Sequence, residues 1–229
     1  MDLIICARGN SKGIPNKNSR LFGNSTLVER AIHSAKKANL TEKIFVSSED
    51  EKILDLAKNA GADYVYERNK LLSEDNVRQV EVVYDLIEFY RSKKIIFTPY
   101  VVLLQTTTPF INSDDIDNAI KKHINLGYSQ IVSGYKVNIN PCEFYIANND
   151  KTIRRIYANE VTSQRQLQND LYRINGGVRI FNIDKFLNSK KFFQNNLKLY
   201  IYEMSKENSL NLDSLSDWRI GLDKLKDSR

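Results

Sequence analysis

Leu3-Ile4-Ile5-Cys6-Ala7-Arg8-Gly9-Asn10-Ser11-Lys12-Gly13-Ile14-Pro15-Asn16-Lys17-Asn18 is the stretch on which the fold turns. Its first five residues form an apolar run of the length and character of a parallel strand covered on both faces. The polar loop that follows carries Arg8, Lys12 and Lys17 beside Gly9 and Gly13. Glycine lets backbone N–H groups approach phosphate oxygens, and the cations neutralise their charge. The spacing is neither that of a P-loop nor that of the dinucleotide fingerprint. By pattern alone the loop is either a phosphate site or a solvated turn.

Outward from this loop, strand and helix alternate. Leu27, Ala31, Ala35 and Ala38 recur at helical spacing, and Ile44-Phe45-Val46 is the next strand. Ser48-Glu49-Asp50-Glu51 has the form of a capping box, opening a helix with Ile53, Leu54 and Ala57 inward and Gly61 at its end. Tyr64-Val65-Tyr66 is a short strand, and Val77, Val80, Tyr84 and Ile87 mark an amphipathic helix. Val101-Val102-Leu103-Leu104 is a central strand, and Ser113-Asp114-Asp115 caps a helix running to about Gly127. Residues 130–133 close this section. From Val137 to Arg173 the rhythm breaks into a polar, hairpin-rich segment. Gly177–Phe181 and Leu199–Tyr202 resume the core, and a last helix starts near Leu215.

This alternation predicts an α/β fold with a doubly wound, mostly parallel sheet. Residues 1–136 and 175–229 form its core, and 137–174 form an insertion. Ligands of such sheets bind beyond the carboxyl ends of the strands, which puts the loops after Ala7 and after Leu104 on one cleft.

The 229 residues carry 34 Lys and Arg against 28 Asp and Glu, a net charge of +6. The surplus is scattered lysine rather than a basic, aromatic-laced block, so nucleic acid is not the expected partner and small phosphorylated ligands fit better. No apolar run reaches the ~20 residues of a membrane span, and the polar turn after Ala7 is not that of a signal peptide. The expectation is a cytoplasmic protein without a membrane partner. Cys6 and Cys142 have no metal-ligand spacing, and His33 and His123 fall inside predicted helices, so neither pair is assigned chemistry.

Ala7 to Asn18 closely resembles the signature of the acylneuraminate cytidylyltransferases, the CMP-sialic acid synthetases. Val46–Glu51 resembles that family's second strand and acidic turn. Leu103-Leu104-Gln105-Thr106-Thr107-Thr108-Pro109 is similar to its Leu-Gln-Pro-Thr-Ser-Pro loop. Asn175-Gly176-Gly177 is similar to its Asn-Gly-Ala, and Ser209-Leu210-Asn211-Leu212-Asp213 to its Ser-Ile-Asp-Ile-Asp. The resemblance covers nearly the whole chain.

It implies transfer of CMP from CTP to the anomeric hydroxyl of a nonulosonic, sialic-acid-like acid, such as N-acetylneuraminic or legionaminic acid, with release of pyrophosphate. Arg8, Ser11, Lys12 and Lys17 would hold the triphosphate, Asn18 the nucleoside, and Arg68 the base. Gln105 would orient the sugar acid near its attacking hydroxyl, Arg165 would pair with its carboxylate, and Asn175 would hydrogen-bond it. Asp213, with Asn211, would hold Mg²⁺ (or Mn²⁺). The insertion would make a homodimer. Two departures stand out: Asn211 occupies the place of the first of two aspartates, and Glu143 falls where sialic-acid enzymes carry a lysine. The segment Asp75-Asn76-Val77-Arg78-Gln79 also lacks the small hydroxyl residues the family has near the base. A nucleotidyltransferase of the same fold with another sugar or nucleotide, or a catalytically weak binding homologue, remains the alternative.

Overall fold

The computed structural model describes residues 1–139, 144–149, 152–155 and 170–227. In chain order the strands are β1 (Asp2–Cys6), β2 (Leu21–Phe22), β3 (Ser25–Thr26), β4 (Ile44–Ser48), β5 (Tyr64–Glu67), β6 (Tyr100–Leu104), β7 (Gln130–Val137), β8 (Tyr145–Ala147), β9 (Ile153–Arg155), β10 (Leu171–Asn182) and β11 (Leu199–Glu203). The α-helices are α1 (Leu27–Lys37), α2 (Glu51–Asn59), α3 (Gln79–Ser92), α4 (Ser113–Asn125), α5 (Ile183–Ser189) and α6 (Leu215–Asp227). A 3₁₀ turn spans Lys70–Ser73.

Seven strands form one sheet in the order β11-β7-β10-β6-β1-β4-β5. β1 pairs in parallel with β4 and β6, as does β4 with β5 and β11 with β7. β10 alone runs antiparallel to its neighbours β6 and β7. The sheet grows from β1 through β4 to β5, then returns to β6 on the other side of β1. That reversal makes β1/β6 the topological switch point, where a cleft must open beyond the strand ends.

The apolar runs are buried because helices cover both faces. Leu3, Ile5, Val102 and Leu104 pack under α1, α2 and α4, with Ile32, Ile53 and Ile116 among the contacts. Ile4, Val101, Leu103 and Phe181 pack under α3 and α5 through Val83, Leu86, Ile87 and Phe186. The α3 face differs in phase from the sequence expectation. Its buried residues are Val82, Val83, Leu86, Ile87 and Tyr90, because the helix begins at Gln79 and leaves Val77 in the preceding turn.

Capping also shifts. Thr26 and Glu29 form a reciprocal capping box on α1, and Asn112, not Ser113, caps α4 with Asp115. Asp50 caps α2 by accepting from the Ile53 amide, while Ser48 Oγ accepts from the Asp50 amide. Glu49 is thereby released from capping and turns toward the first loop. Gly61 ends the α2 unit at φ +92°, a conformation that costs a β-carbon-bearing residue but not glycine. The hairpin β8–β9 lies in the predicted insertion, and β7 and β10 extend toward it, pairing Val137 with Leu171.

Candidate functional site

The carboxyl ends of β1 and β6 stand side by side, with Ile5 registered against Leu104. The loop Ala7–Asn18 leaves the first and the loop Gln105–Pro109 the second. Asn18, almost fully buried, ties the two: its Nδ2 donates to the Arg8 carbonyl at 2.8 Å, and its Oδ1 accepts from Thr106 Oγ1 at 2.7 Å.

The first loop is anchored by an apolar residue in its middle. Ile14 is fully buried in a small cluster with Phe22, Leu27, Leu212 and Trp218. Gly13 lies so close to the next segment that a β-carbon there would overlap the Asp213 carbonyl oxygen. Lys17 Nζ donates to the Leu212 carbonyl at 2.8 Å. The segment before α6 thus clamps the loop, and two sequence-distant motifs, 7–18 and 209–213, form one wall.

On the opposite wall stand β5, the 3₁₀ turn and the start of α3. Two adjoining cavities lie between, about 590 Å³ beside Arg8, Ser11, Lys12 and Asp75, and about 310 Å³ beside Lys17, Asn18, Arg68, Gln79 and Gln105. Arg8, Ser11 and Asp75 line both. Pockets of this size at a switch point suit a nucleotide-sized ligand.

The charges in this cleft are paired across it. Arg8 Nη1 and Lys12 Nζ reach the two oxygens of Asp75 at 3.0 and 2.6 Å. Lys12 and Arg8 hydrogen-bond the Asp75 carboxyl and hold it below the usual carboxylate range. Burial pushes Lys17 below its ordinary value; Asp213 and Asp217 oppose that shift and Arg8 adds to it. The Cys6 thiol is pushed up to about 12 by desolvation, which rules it out as a ready nucleophile.

Arg68 is buried and committed. Its Nη1 donates to Ser47 O at 2.8 Å and Ser47 Oγ at 3.3 Å, its Nε to Ser73 Oγ at 3.0 Å, and its Nη2 to Glu49 Oε2 at 2.8 Å. The other oxygen of Glu49 accepts the Gly9 amide at 2.8 Å. Sequence reasoning passed over Glu49 as part of an acidic turn; its hydrogen bonds join the phosphate-type loop to β4 and to the 3₁₀ turn.

Beyond Gln105 the sheet is irregular. The β7–β10 register shifts between Ile174 and Arg179, and Gly176 sits at φ +68° in that bulge. The Asn175 side chain is buried and occupied: its Oδ1 accepts from Ser133 Oγ at 2.6 Å and the Gly177 amide at 3.0 Å, and its Nδ2 donates to Ser209 Oγ at 2.9 Å. Gln105 Nε2 donates to Gln79 Oε1 at 3.3 Å, and Arg179 Nη1 donates to the same oxygen at 2.6 Å.

Asp213 is exposed and does not cap α6. That task falls to Ser214 and Asp217, each accepting the other's amide, at 3.3 and 2.8 Å. Asp213 Oδ2 instead accepts from Asn211 Nδ2 at 2.8 Å, and Asn211 Oδ1 is buried without a hydrogen-bond partner among the described residues. Among the described residues no group of three or more His, Cys, Asp and Glu is placed to hold a metal. His33 is exposed; His123 is buried against Tyr100 and hydrogen-bonds the Ser129 carbonyl at 2.6 Å, so neither reaches the cleft. Arg165, Glu143 and Cys142 lie outside the described residues. Among the described residues, no helix is long and apolar enough to cross a membrane.

The chain is 27% identical over 225 residues to CMP-N,N'-diacetyllegionaminic acid synthase of Legionella pneumophila, covering 95% of this chain and 92% of that one. It is 28% identical over 217 residues to N-acylneuraminate cytidylyltransferase of Streptococcus agalactiae, covering 94% of this chain but only about half, 51%, of that one. In three dimensions it is similar to CMP:2-keto-3-deoxy-manno-octonic acid synthetase complexed with CTP, with a TM-score of 0.74, covering 99% of this chain and 98% of that one. At 11% identity that last likeness is one of fold alone. The family model for cytidylyltransferases matches residues 3–224, so the chain belongs to the cytidylyltransferase family.

Proposed function

We propose that the chain transfers CMP from CTP to the anomeric hydroxyl of a nonulosonic acid and releases pyrophosphate. The observation that carries this reading is the joining of the two loops at the β1/β6 switch point. Asn18 and Thr106 fasten a loop bearing Arg8, Ser11, Lys12 and Lys17 to one bearing Gln105, so a triphosphate site and an acceptor site share one cleft. Membership of the cytidylyltransferase family and likeness to the legionaminic and neuraminic acid enzymes support the base and the sugar class.

In this reading the chain works by positioning and charge neutralisation, which suffice for much of phosphoryl-type transfer. Arg8, Lys12 and Lys17 spread their charge over the triphosphate, with the Ser11 hydroxyl as a further donor. CTP takes over the cations that Asp75 otherwise holds. Asn18 contacts the nucleoside and fixes the spacing of the two loops. Arg68 faces the base from the opposite wall. Gln105 orients the acceptor hydroxyl, but its amide is no base. Asn175 acts on the sugar by holding the turn Asn175–Gly177 beside Gln105.

Asp213 and the Asn211 amide fit Mg²⁺ (or Mn²⁺): the unsatisfied Asn211 Oδ1 is an oxygen a hard cation would use. When bound, the ion supplies charge neutralisation at the phosphates and acidity at the hydroxyl. We further propose that the chain acts in the cytoplasm, as a homodimer.

The test is pyrophosphate release with Mg²⁺, each of the four nucleoside triphosphates, and N-acetylneuraminic, N,N'-diacetyllegionaminic and pseudaminic acids. Release with CTP and one of these acids is expected. Release only with another nucleotide or a neutral sugar, or none at all, overturns the reading.

Lys17 makes this activity pH-dependent. Its folded-state value lies below that of a free lysine, so its charge is lost earlier as pH rises. The profile of kcat/KM for CTP, which reports the free enzyme, is expected to fall on its alkaline side below the ordinary lysine value of 10.5. In Lys17→Arg the fall moves to higher pH. An alkaline limb unmoved by that substitution assigns the titration to another group.

A further inference from the structure

Three cations of the nucleotide side have a carboxylate within ion-pair distance, while Lys17 donates to the Leu212 carbonyl with Asp213 and Asp217 acting from further off. Arg8 and Lys12 have Asp75, and Arg68 has Glu49. Arg179, on the other side of Gln105, differs. Its guanidinium is largely buried, and burial lowers its pKa from the ordinary value with no carboxylate acting on it. No carboxylate among the described residues lies within ion-pair distance of it. What it has is the neutral Gln79 Oε1 at 2.6 Å and the face of Phe192 at 5.5 Å. A buried cation without a counter-charge is costly, and next to Gln105, which lines the cavity, that cost favours an anion as its partner.

The chemistry of the acceptor says which anion. In a nonulosonic acid the carboxylate is attached to the anomeric carbon, the same carbon that bears the attacking hydroxyl. A cation that holds this carboxylate must therefore stand next to the group that orients the hydroxyl. Arg179 does so. Its Nη2 and the Nε2 of Gln105 lie 3.2 and 3.3 Å from the point where a side chain at Gly176 would begin. Gln79 Oε1 accepts hydrogen bonds from both residues. Glycine at 176, at φ +68°, leaves open the space between them.

We propose that Arg179 pairs with the carboxylate of the acceptor sugar acid, with Gln79 and Gln105 holding the guanidinium beside the attacking hydroxyl. This rests on the proposed reaction and names a residue, further to the Arg165 that the resemblance implies, that would help the site select an acid over a neutral sugar. A guanidinium suits the task because it can meet both carboxylate oxygens at once.

The test uses whichever of N-acetylneuraminic or N,N'-diacetyllegionaminic acid the wild-type protein turns over, together with its C1 carboxamide. Arg179→Met is expected to raise KM for the acid about 10- to 100-fold, the scale of a lost charge-assisted pair. KM for CTP stays unchanged, and the wild-type preference for acid over amide collapses toward one. Gln79→Glu keeps the hydrogen bond to Arg179 but adds an internal counter-ion. It is expected to raise KM for the acid without lowering Tm, and it decides the matter if Arg179→Met fails to fold. Acid and amide affected equally, or KM for the acid unmoved in either folded variant, overturns the assignment. A wild-type protein that turns over no sugar acid overturns the proposed function itself, a result distinct from an active wild type with indifferent variants.

Discussion

Arg8→Ala is expected to lower kcat/KM for CTP by about 10²–10³-fold, the usual cost of removing one preorganised donor to developing phosphate charge. Among the described residues Arg8 is the one cation that borders both adjoining cavities, which is where the proposed reading puts the middle of the triphosphate. Its pairing with Asp75 at 3.0 Å is half-exposed and contributes little to stability, so Tm should barely move. Arg8→Lys keeps the charge but loses the planar fork, and should recover only part of the loss. Steady-state kinetics at saturating sugar acid, with CTP varied, make the measurement. If the alanine variant stays within about fivefold of wild type, transition-state stabilisation at this position is too small for the role given to it.

Why some of this was legible in the sequence, and some not, has a physical basis. The run Leu3–Ala7 reads as a strand buried on both faces because it is short, β-branched at Ile4 and Ile5, and ends at a glycine-containing loop. The glycines and cations after it mark a loop after the first strand, which by pattern alone is either a phosphate site or a solvated turn. Those are local requirements, and local requirements write themselves into neighbouring positions. The helix at 79–92 was legible as a period but not as a phase, since apolar Val77 precedes its first turn and continues the pattern by chance. Ser48–Glu51 reads equally well as a capping box, yet Asp50 wins the cap and leaves Glu49 free to bond Gly9 and Arg68. No spacing rule reports that choice, because it depends on Arg68 arriving from another strand. Ile14 was hidden for a similar reason: an apolar residue in a polar loop acquires meaning only when Phe22, Leu212 and Trp218 surround it. Arg179 sits in an ordinary strand sequence, and its place beside Gln79 and Gln105 depends on α3 and β6 arriving from elsewhere in the chain.

Arg68→Met should be the most destabilising change in the cleft. It leaves Glu49, whose side chain is only 11% exposed, as a buried carboxylate whose charge no longer has a partner. Breaking one side of a buried pair costs about 3–5 kcal/mol, and at this chain length that lowers Tm by roughly 6–20 °C. Glu49→Gln removes the opposite charge and strands the guanidinium, though the Ser47 and Ser73 contacts still hold it, so its cost should be smaller. Replacing both leaves no unpaired charge. The double variant should therefore be more stable than Arg68→Met alone, with a coupling of about 1–3 kcal/mol in a double-mutant cycle. Urea denaturation of the four proteins, with m-values compared, supplies the numbers. Strict additivity would mean that the 2.8 Å pair is structurally incidental. The same variants carry a second readout. Glu49 grips the Gly9 amide on one side and the Ser73 hydroxyl on the other, so it sets the distance between the walls of the nucleotide cleft. Glu49→Gln retains an oxygen for Gly9 and should spare KM for CTP, whereas Glu49→Ala, which releases both walls, should raise it. That split separates a residue that shapes the cleft from one that merely stabilises the strand it sits beside.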